Sequence, residues 1–230
     1  MEEKKLDLSK IPDTELPAQK EDFRETFQWR IFRIIAEFVE GFQFIADNKK
    51  SVTILGSSSF KEDNPHYKKA RLLGQMLAKE GFSVVTGGGP GIMEAANRGA
   101  YEEGGNSIGI NIYLEEGERA NKYMKKSIGF HYFFTRKVML SFASSGYVFF
   151  PGGFGTLDEF FEIITLIQTK KITVKGPVII VGKEFWNPLL KWIKDDVCYN
   201  YKTIKEENLD IFCLVETSEE ALEIIKKNNN

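Results

Sequence analysis

An α/β fold built on a doubly wound parallel sheet follows from three observations on these 230 residues. Short β-branched and aromatic runs alternate with segments of helical period, as a series of strand–helix–strand crossovers requires. Two of the runs end in glycine-rich turns, at 87–91 and 152–155, each followed by a helical pattern. The length, with 42% hydrophobic residues, suffices for one sizeable core and hardly for two. The prediction is a Rossmann-like sheet of about six or seven strands with an added N-terminal helix. A polar tail over 1–22 precedes a single domain over 23–230.

The tail is charged, holds Pro12 and Pro17 and lacks an apolar segment. It reads as disordered or loosely docked, and as neither signal peptide nor membrane anchor. From Phe23 to Ala46, apolar residues at Phe27, Ile31, Ile34, Ile35, Phe38, Val39, Phe42 and Ile45 have helical spacing. Trp29, Phe32 and Phe44 widen that apolar surface, so the helix buries more than one face, against its own domain or against a second subunit. Ser51–Gly56 is the first strand and ends in the polar turn Ser57-Ser58-Ser59. No glycine fingerprint follows it, which argues against NAD. Asn64-Pro65 opens a helix to about Glu80, with Gly81 at its end and His66 on its surface.

Phe82–Thr86 is the second strand and runs into Gly87-Gly88-Gly89-Pro90-Gly91-Ile92-Met93. Pro90 suits the first turn of the next helix, and the glycines leave N–H groups free to meet an anion. No Lys-Ser/Thr pair follows, so the turn is not a triphosphate-binding loop. Ser107–Ile112 is the third strand, and the charged stretch Tyr113–Lys126 after it is a candidate active-site lid. Phe130–Leu140 is helical in pattern and carries Arg136 and Lys137. Tyr147–Phe150 is the fourth strand, followed by Pro151-Gly152-Gly153-Phe154-Gly155-Thr156 and a helix to about Lys170. Pro177–Gly182 is a fifth strand, Glu184–Tyr199 a helix and Ile211–Val215 the last strand. Thr217-Ser218-Glu219-Glu220 opens a final helix with capping and acidic residues.

With strand order 3-2-1-4-5-6, the turns after strands 1, 2 and 4 meet at the carboxyl ends around the switch point. Ser58, Gly88, Gly89, Gly152, Gly153, Gly155 and Thr156 then line one crevice suited to a phosphorylated ligand. Asp158, Glu159 and Glu162 follow within the same helix. A carboxylate beside an anion site serves chemistry better than affinity. The plain alternatives are tight strand-to-helix turns and a structural salt bridge between Arg136 and Glu159.

Composition narrows the partners. Lys and Arg total 31 against 33 Asp and Glu, a net charge of −2 that supplies no general field for nucleic acid. Cys198 and Cys213 fit a reducing cytoplasm as packed thiols and lack metal-ligand spacing. No apolar run approaches the ~20 residues that a bilayer span needs.

Pro151–Glu159, PGGFGTLDE, resembles the PGGxGTxxE signature of the LONELY GUY family of cytokinin riboside 5′-monophosphate phosphoribohydrolases, formerly labelled lysine decarboxylases. Gly87–Met93 resembles that family's GGGxxGxM segment. Arg136-Lys137 matches its Arg-Lys pair, with Phe133-Phe134-Thr135 standing where Met-His-Glu is usual, as in its longer members. The likeness spans about residues 23–217. It implies hydrolysis of the N-glycosidic bond of a purine nucleoside 5′-monophosphate, AMP or a prenylated relative, with no metal or organic cofactor. Glu159 and Arg136 are the implied catalytic pair. Ser58, Gly88, Gly89, Met93, Lys137, Gly152, Gly153, Gly155 and Thr156 are implied on the substrate side. A homodimer or larger assembly is implied as well. Two other classes compete: a nucleotide or molybdenum-cofactor carrier on the same fold, which needs no Arg-Glu pair, and a decarboxylase, which would need a pyridoxal phosphate lysine that the sequence does not place.

Overall fold

The computed structural model describes residues 26–48, 50–113, 120–172 and 176–229. The expected tail over 1–22 and residues 114–119 of the candidate lid Tyr113–Lys126 lie outside them. The chain divides into two compact units, Met1–Ala36 and Glu37–Asn230. Helix α1, Phe27–Ala46, begins in the first; the description that follows concerns the second, from Glu37 onward.

Seven strands form one sheet in the order β4-β3-β2-β1-β5-β6-β7, every neighbouring pair parallel. They are β1 Ser51–Leu55, β2 Ser83–Thr86, β3 Ser107–Ile112, β4 Lys126–Phe130, β5 Tyr147–Phe149, β6 Val178–Val181 and β7 Phe212–Val215. The central strands are apolar on both faces because helices cover both. Val52, Ile54, Val84, Val148 and Ile179 point to α2 (Pro65–Lys79), α3 (Ile92–Glu102) and α7 (Ser218–Asn229). Alternate residues on β5 and β6, Tyr147, Phe149, Val178 and Ile180, meet α5 (Phe154–Gln168) and α6 (Lys183–Trp192). On the other half of that face, Val85, Ile108, Ile110 and Phe130 meet α4 (Phe133–Phe142) and the α1 residues Phe38, Phe44 and Ile45.

Helix boundaries follow the local chemistry. Asn64 Oδ1 accepts the His66 N–H at 2.8 Å, with Pro65 in the first turn of α2. Before α7, Thr217 Oγ1 accepts the Glu220 N–H at 3.2 Å while Glu220 Oε2 accepts the Thr217 N–H at 3.1 Å, a reciprocal capping box.

Three local features differ from the sequence reading. Lys126–Phe130 is an edge strand where the sequence reads as an irregular stretch passing into a helix, because only its last residue, Phe130, is fully buried. The helix expected over Glu184–Tyr199 is α-helical only to Trp192, contains Pro188, and continues as a π-helical segment over Ile193–Asn200. A 3₁₀ segment, Glu206–Ile211, leads into β7. Cys198 and Cys213 are free thiols, and no helix among the described residues is long and apolar enough to cross a membrane.

Candidate active site

The chain leaves β1 toward α2 on one face and leaves β5 toward α5 on the other, so the sheet opens a crevice between these neighbouring strands. Ser57 laces the three turns there: its N–H donates to the Pro151 carbonyl at 3.0 Å and its carbonyl accepts the Ile92 N–H at 2.9 Å. The result is a cleft of about 500 Å³. Ser57, Ser58, Ser59 and Thr156 give it hydroxyls, and Leu55, Ile112, Phe133, Leu140 and Phe154 give it an apolar wall.

Helix α5 points its amino end into this cleft. Gly153 is the N-cap with no side-chain cap, and the first backbone bond runs from the Leu157 N–H to the Gly153 carbonyl at 3.1 Å. The N–H groups of Phe154, Gly155 and Thr156 therefore have no acceptor within the helix, and they add to the positive end of its dipole. Gly153, Gly155 and Thr156 line the cleft as the sequence predicts. Gly152 instead sits against Thr156 and Ser57, where a Cβ would fall 2.1 Å from Thr156 Oγ1.

Glu159 also lines the cleft and is only 6% exposed. Among the described residues no hydrogen bond or ion pair reaches its carboxyl. Burial pushes its pKa up to about 7, and Glu162 adds to the rise; the positive charges of Lys137 and Arg136 offset this only in part. The carboxyl is thus poised near neutrality, with its oxygens left for a ligand.

Arg136 lies in the first turn of α4. Its Nε donates to the Ile110 carbonyl at 2.9 Å and its Nη2 to the Gly87 carbonyl at 3.3 Å, with the guanidinium 5.8 Å from the Phe133 ring centroid. It faces the same cleft as Glu159. Lys137 turns elsewhere: its Nζ is 2.7 Å from Asp158 Oδ2 and 3.2 Å from Glu162 Oε2, between α4 and the outer side of α5. The structure does not bring Lys137 into the cleft.

The turn after β2 is fastened from beneath. The Gly88 N–H donates to Thr86 Oγ1 at 2.9 Å, and Asn121 Nδ2 reaches the Gly88 and Gly89 carbonyls at 3.1 and 3.0 Å. Asn97, fully buried, accepts from Thr86 Oγ1 and Asn121 Nδ2 and donates to Ser107 Oγ. Gly87 and Met93 line the cleft; Gly88 and Gly89 support it. Sequence reasoning missed Asn97 and Asn121; Ser57, in the turn that it brought to the crevice, lines the cleft. For Asn97 a signal existed, an amide on the buried face of an otherwise apolar helix stripe; for Asn121 there was none. Among the described residues no cluster of three or more His, Cys, Asp and Glu is placed to hold a metal ion.

Residues 93–225 match the family described as "possible lysine decarboxylase". The chain is also 25% identical over 167 residues to a cytokinin riboside 5′-monophosphate phosphoribohydrolase from Rhodococcoides fascians, covering 71% of this chain and 84% of that one. The chain belongs to the LONELY GUY family. A rice member, from Oryza sativa subsp. japonica, bears the same enzyme name and is 29% identical over 157 residues, 65% of this chain and 62% of its own. The LONELY GUY fold is shared more widely. The solved molybdenum cofactor binding protein of Rippkaea orientalis superimposes with a TM-score of 0.60 over 80% of this chain and 99% of that one, at 22% identity, a likeness of fold alone.

Proposed function

We propose that this LONELY GUY protein hydrolyses the N-glycosidic bond of a purine nucleoside 5′-monophosphate, releasing the free base and ribose 5-phosphate. The observation that carries the reading is Glu159, a buried carboxyl without a hydrogen-bond or ion-pair partner among the described residues, set in the cleft behind the open amino end of α5. From Phe154 to Glu159 the helix advances by about 8 Å, comparable with the reach from a 5′-phosphate across ribose to the anomeric carbon. The phosphate docks on the N–H groups of 154–156 and the hydroxyls of Thr156 and Ser58. The base lies toward the apolar wall of Phe133, Ile112 and Phe154.

Cleavage of the bond to the base builds positive charge on the sugar, and the Glu159 carboxylate stabilises it at close range in a desolvated site. As the C–N bond breaks, water adds its oxygen to the anomeric carbon and gives a proton to Glu159, and the carboxyl hands a proton on to the departing base nitrogen, which restores the carboxylate. Arg136, fixed by two carbonyls, orients the ribose hydroxyls and holds Glu159 toward its ionised form. The reading also expects a homodimer or larger assembly; Val39, Phe42 and Phe142 are exposed at 52%, 44% and 51%, and sedimentation would test it.

The deciding experiment is chromatography of base and ribose 5-phosphate released from AMP and from isopentenyladenosine monophosphate, with Glu159→Gln and the unphosphorylated nucleosides as controls. Release that requires both the 5′-phosphate and Glu159 supports the proposal and ranks the bases. Folded protein that binds nucleotide but cleaves none would be a carrier.

A further inference from the structure

Glu37 stands on α1 and does not line the cleft, yet the residue is only 7% exposed and its carboxyl engages the start of α4. Helix α4 has Tyr132 as N-cap and no side-chain cap of its own. Glu37, on another element, binds the backbone that leads into it. Its Oε1 accepts the His131 N–H at 2.7 Å, its Oε2 accepts the Tyr132 N–H at 3.4 Å, and the Thr135 hydroxyl lies within hydrogen-bond reach of Oε2. A carboxylate there satisfies the N-cap N–H and the one before it and matches the sign of the helix dipole. The next residue after Thr135 is Arg136, whose guanidinium donates to the carbonyls of Ile110, on β3, and Gly87, in the turn after β2. The guanidinium can reach both only if the first turn of α4 stands at the correct height and rotation.

We infer that Glu37 is a positioning residue that sets the place of Arg136 in the cleft, through the amino end of α4 and Thr135. The inference rests on the reading of Arg136 as a substrate-side group. Glu37→Gln keeps the volume but replaces one acceptor oxygen by an amide donor, so Thr135 and the backbone N–H groups cannot all be served. Thr135→Val removes the hydroxyl at equal size, and Thr135→Ser restores it.

Two measurements test this. The first is a double-mutant cycle on base release from AMP. Glu37→Gln is expected to lower kcat/KM about tenfold or more with Arg136 present and less than about threefold in Arg136→Ala, because residues acting as a unit are non-additive. Thr135→Val should follow the same pattern and Thr135→Ser should recover activity. An equal loss in both backgrounds would mean a structural role only and overturn the inference. The second needs no catalysis: the side-chain ¹H–¹⁵N Nε–H resonance of Arg136, identified by its loss in Arg136→Lys. It should move in Glu37→Gln and Thr135→Val while those of Arg71 and Arg98, bound to Glu102, stay in place. An Arg136 resonance at its wild-type position in both variants sinks the inference. Wild-type protein that cleaves neither monophosphate would instead count against the proposed reaction, and the resonance would then decide the role of Glu37 alone.

Discussion

The turn after β2 and the turn after β5 are both rich in glycine and both precede a helix, but their peptide groups go to different partners. In the first, Thr86 takes the Gly88 N–H, and Asn121 takes the Gly88 and Gly89 carbonyls. In the second, the N–H groups at 154–156 find no acceptor in their own helix and face the cleft. Glycine marks where backbone must bend or come close. The polar side chains beneath it decide which peptide groups are left for a ligand.

The sharpest break of this contrast removes what the open turn faces. Glu159→Gln is expected to cost on the order of 10³-fold in kcat, the scale seen when a principal stabiliser of transition-state charge is lost; a loss under tenfold would shift the chemistry to another group. Gly88→Ala, in the fastened turn, should lower stability by about 2–4 kcal/mol in urea unfolding. There φ is +76° and a Cβ would lie 1.8 Å from Asn111 Oδ1.

Proton linkage at Glu159 comes next. Its folded pKa of about 7 lies above the ordinary 4.5, so the fold favours the protonated form. That contribution is complete below pH 4.5 and is lost as pH rises through 7. Glu159→Gln should therefore match wild type in acid and exceed it above neutrality, by at most about 3 kcal/mol. The same group predicts that wild-type kcat/KM falls toward tenfold per pH unit below about 7. A flat activity profile from pH 5 to 8 would contradict it.

Gly153→Ala tests the open turn directly. Its φ of −88° suits any residue and no atom lies within 4 Å of a Cβ there, so folding should hold while the new methyl raises KM about tenfold. Loss of stability equal to that of Gly88→Ala would erase the distinction between the turns. The smallest effect is expected at Lys137→Gln: with its ammonium held by Asp158 and Glu162, KM should change less than about threefold.

The sheet was legible because its signals are periodic and local. The expected order 3-2-1-4-5-6 is present, with β4 added outside β3. That strand was missed because an edge position asks little burial of Lys126 and Ser127. The meeting of Ser58, Met93, Arg136, Thr156 and Glu159 followed from strand order and motif together. What the sequence could not show was direction. Lys137 is next to Arg136, and successive helical residues point about 100° apart, so one enters the cleft and the other pairs with acids on α5. Asn121 was hidden because its partners are main-chain carbonyls more than 30 residues away.

The central position of β1 has a consequence for the protein's birth. Its partner β5 starts at Tyr147, nearly a hundred residues after Ser51. At about 5–20 residues per second, a ribosome needs roughly 5–20 s to deliver it. Until then β1 is a bare apolar edge, and the half-sheet built on β2 and β3 is the part of the nascent chain most exposed to wrong pairing. The strand that covers β1 also brings the glycine turn that opens α5, so one segment of nascent chain both shields that edge and completes the cleft.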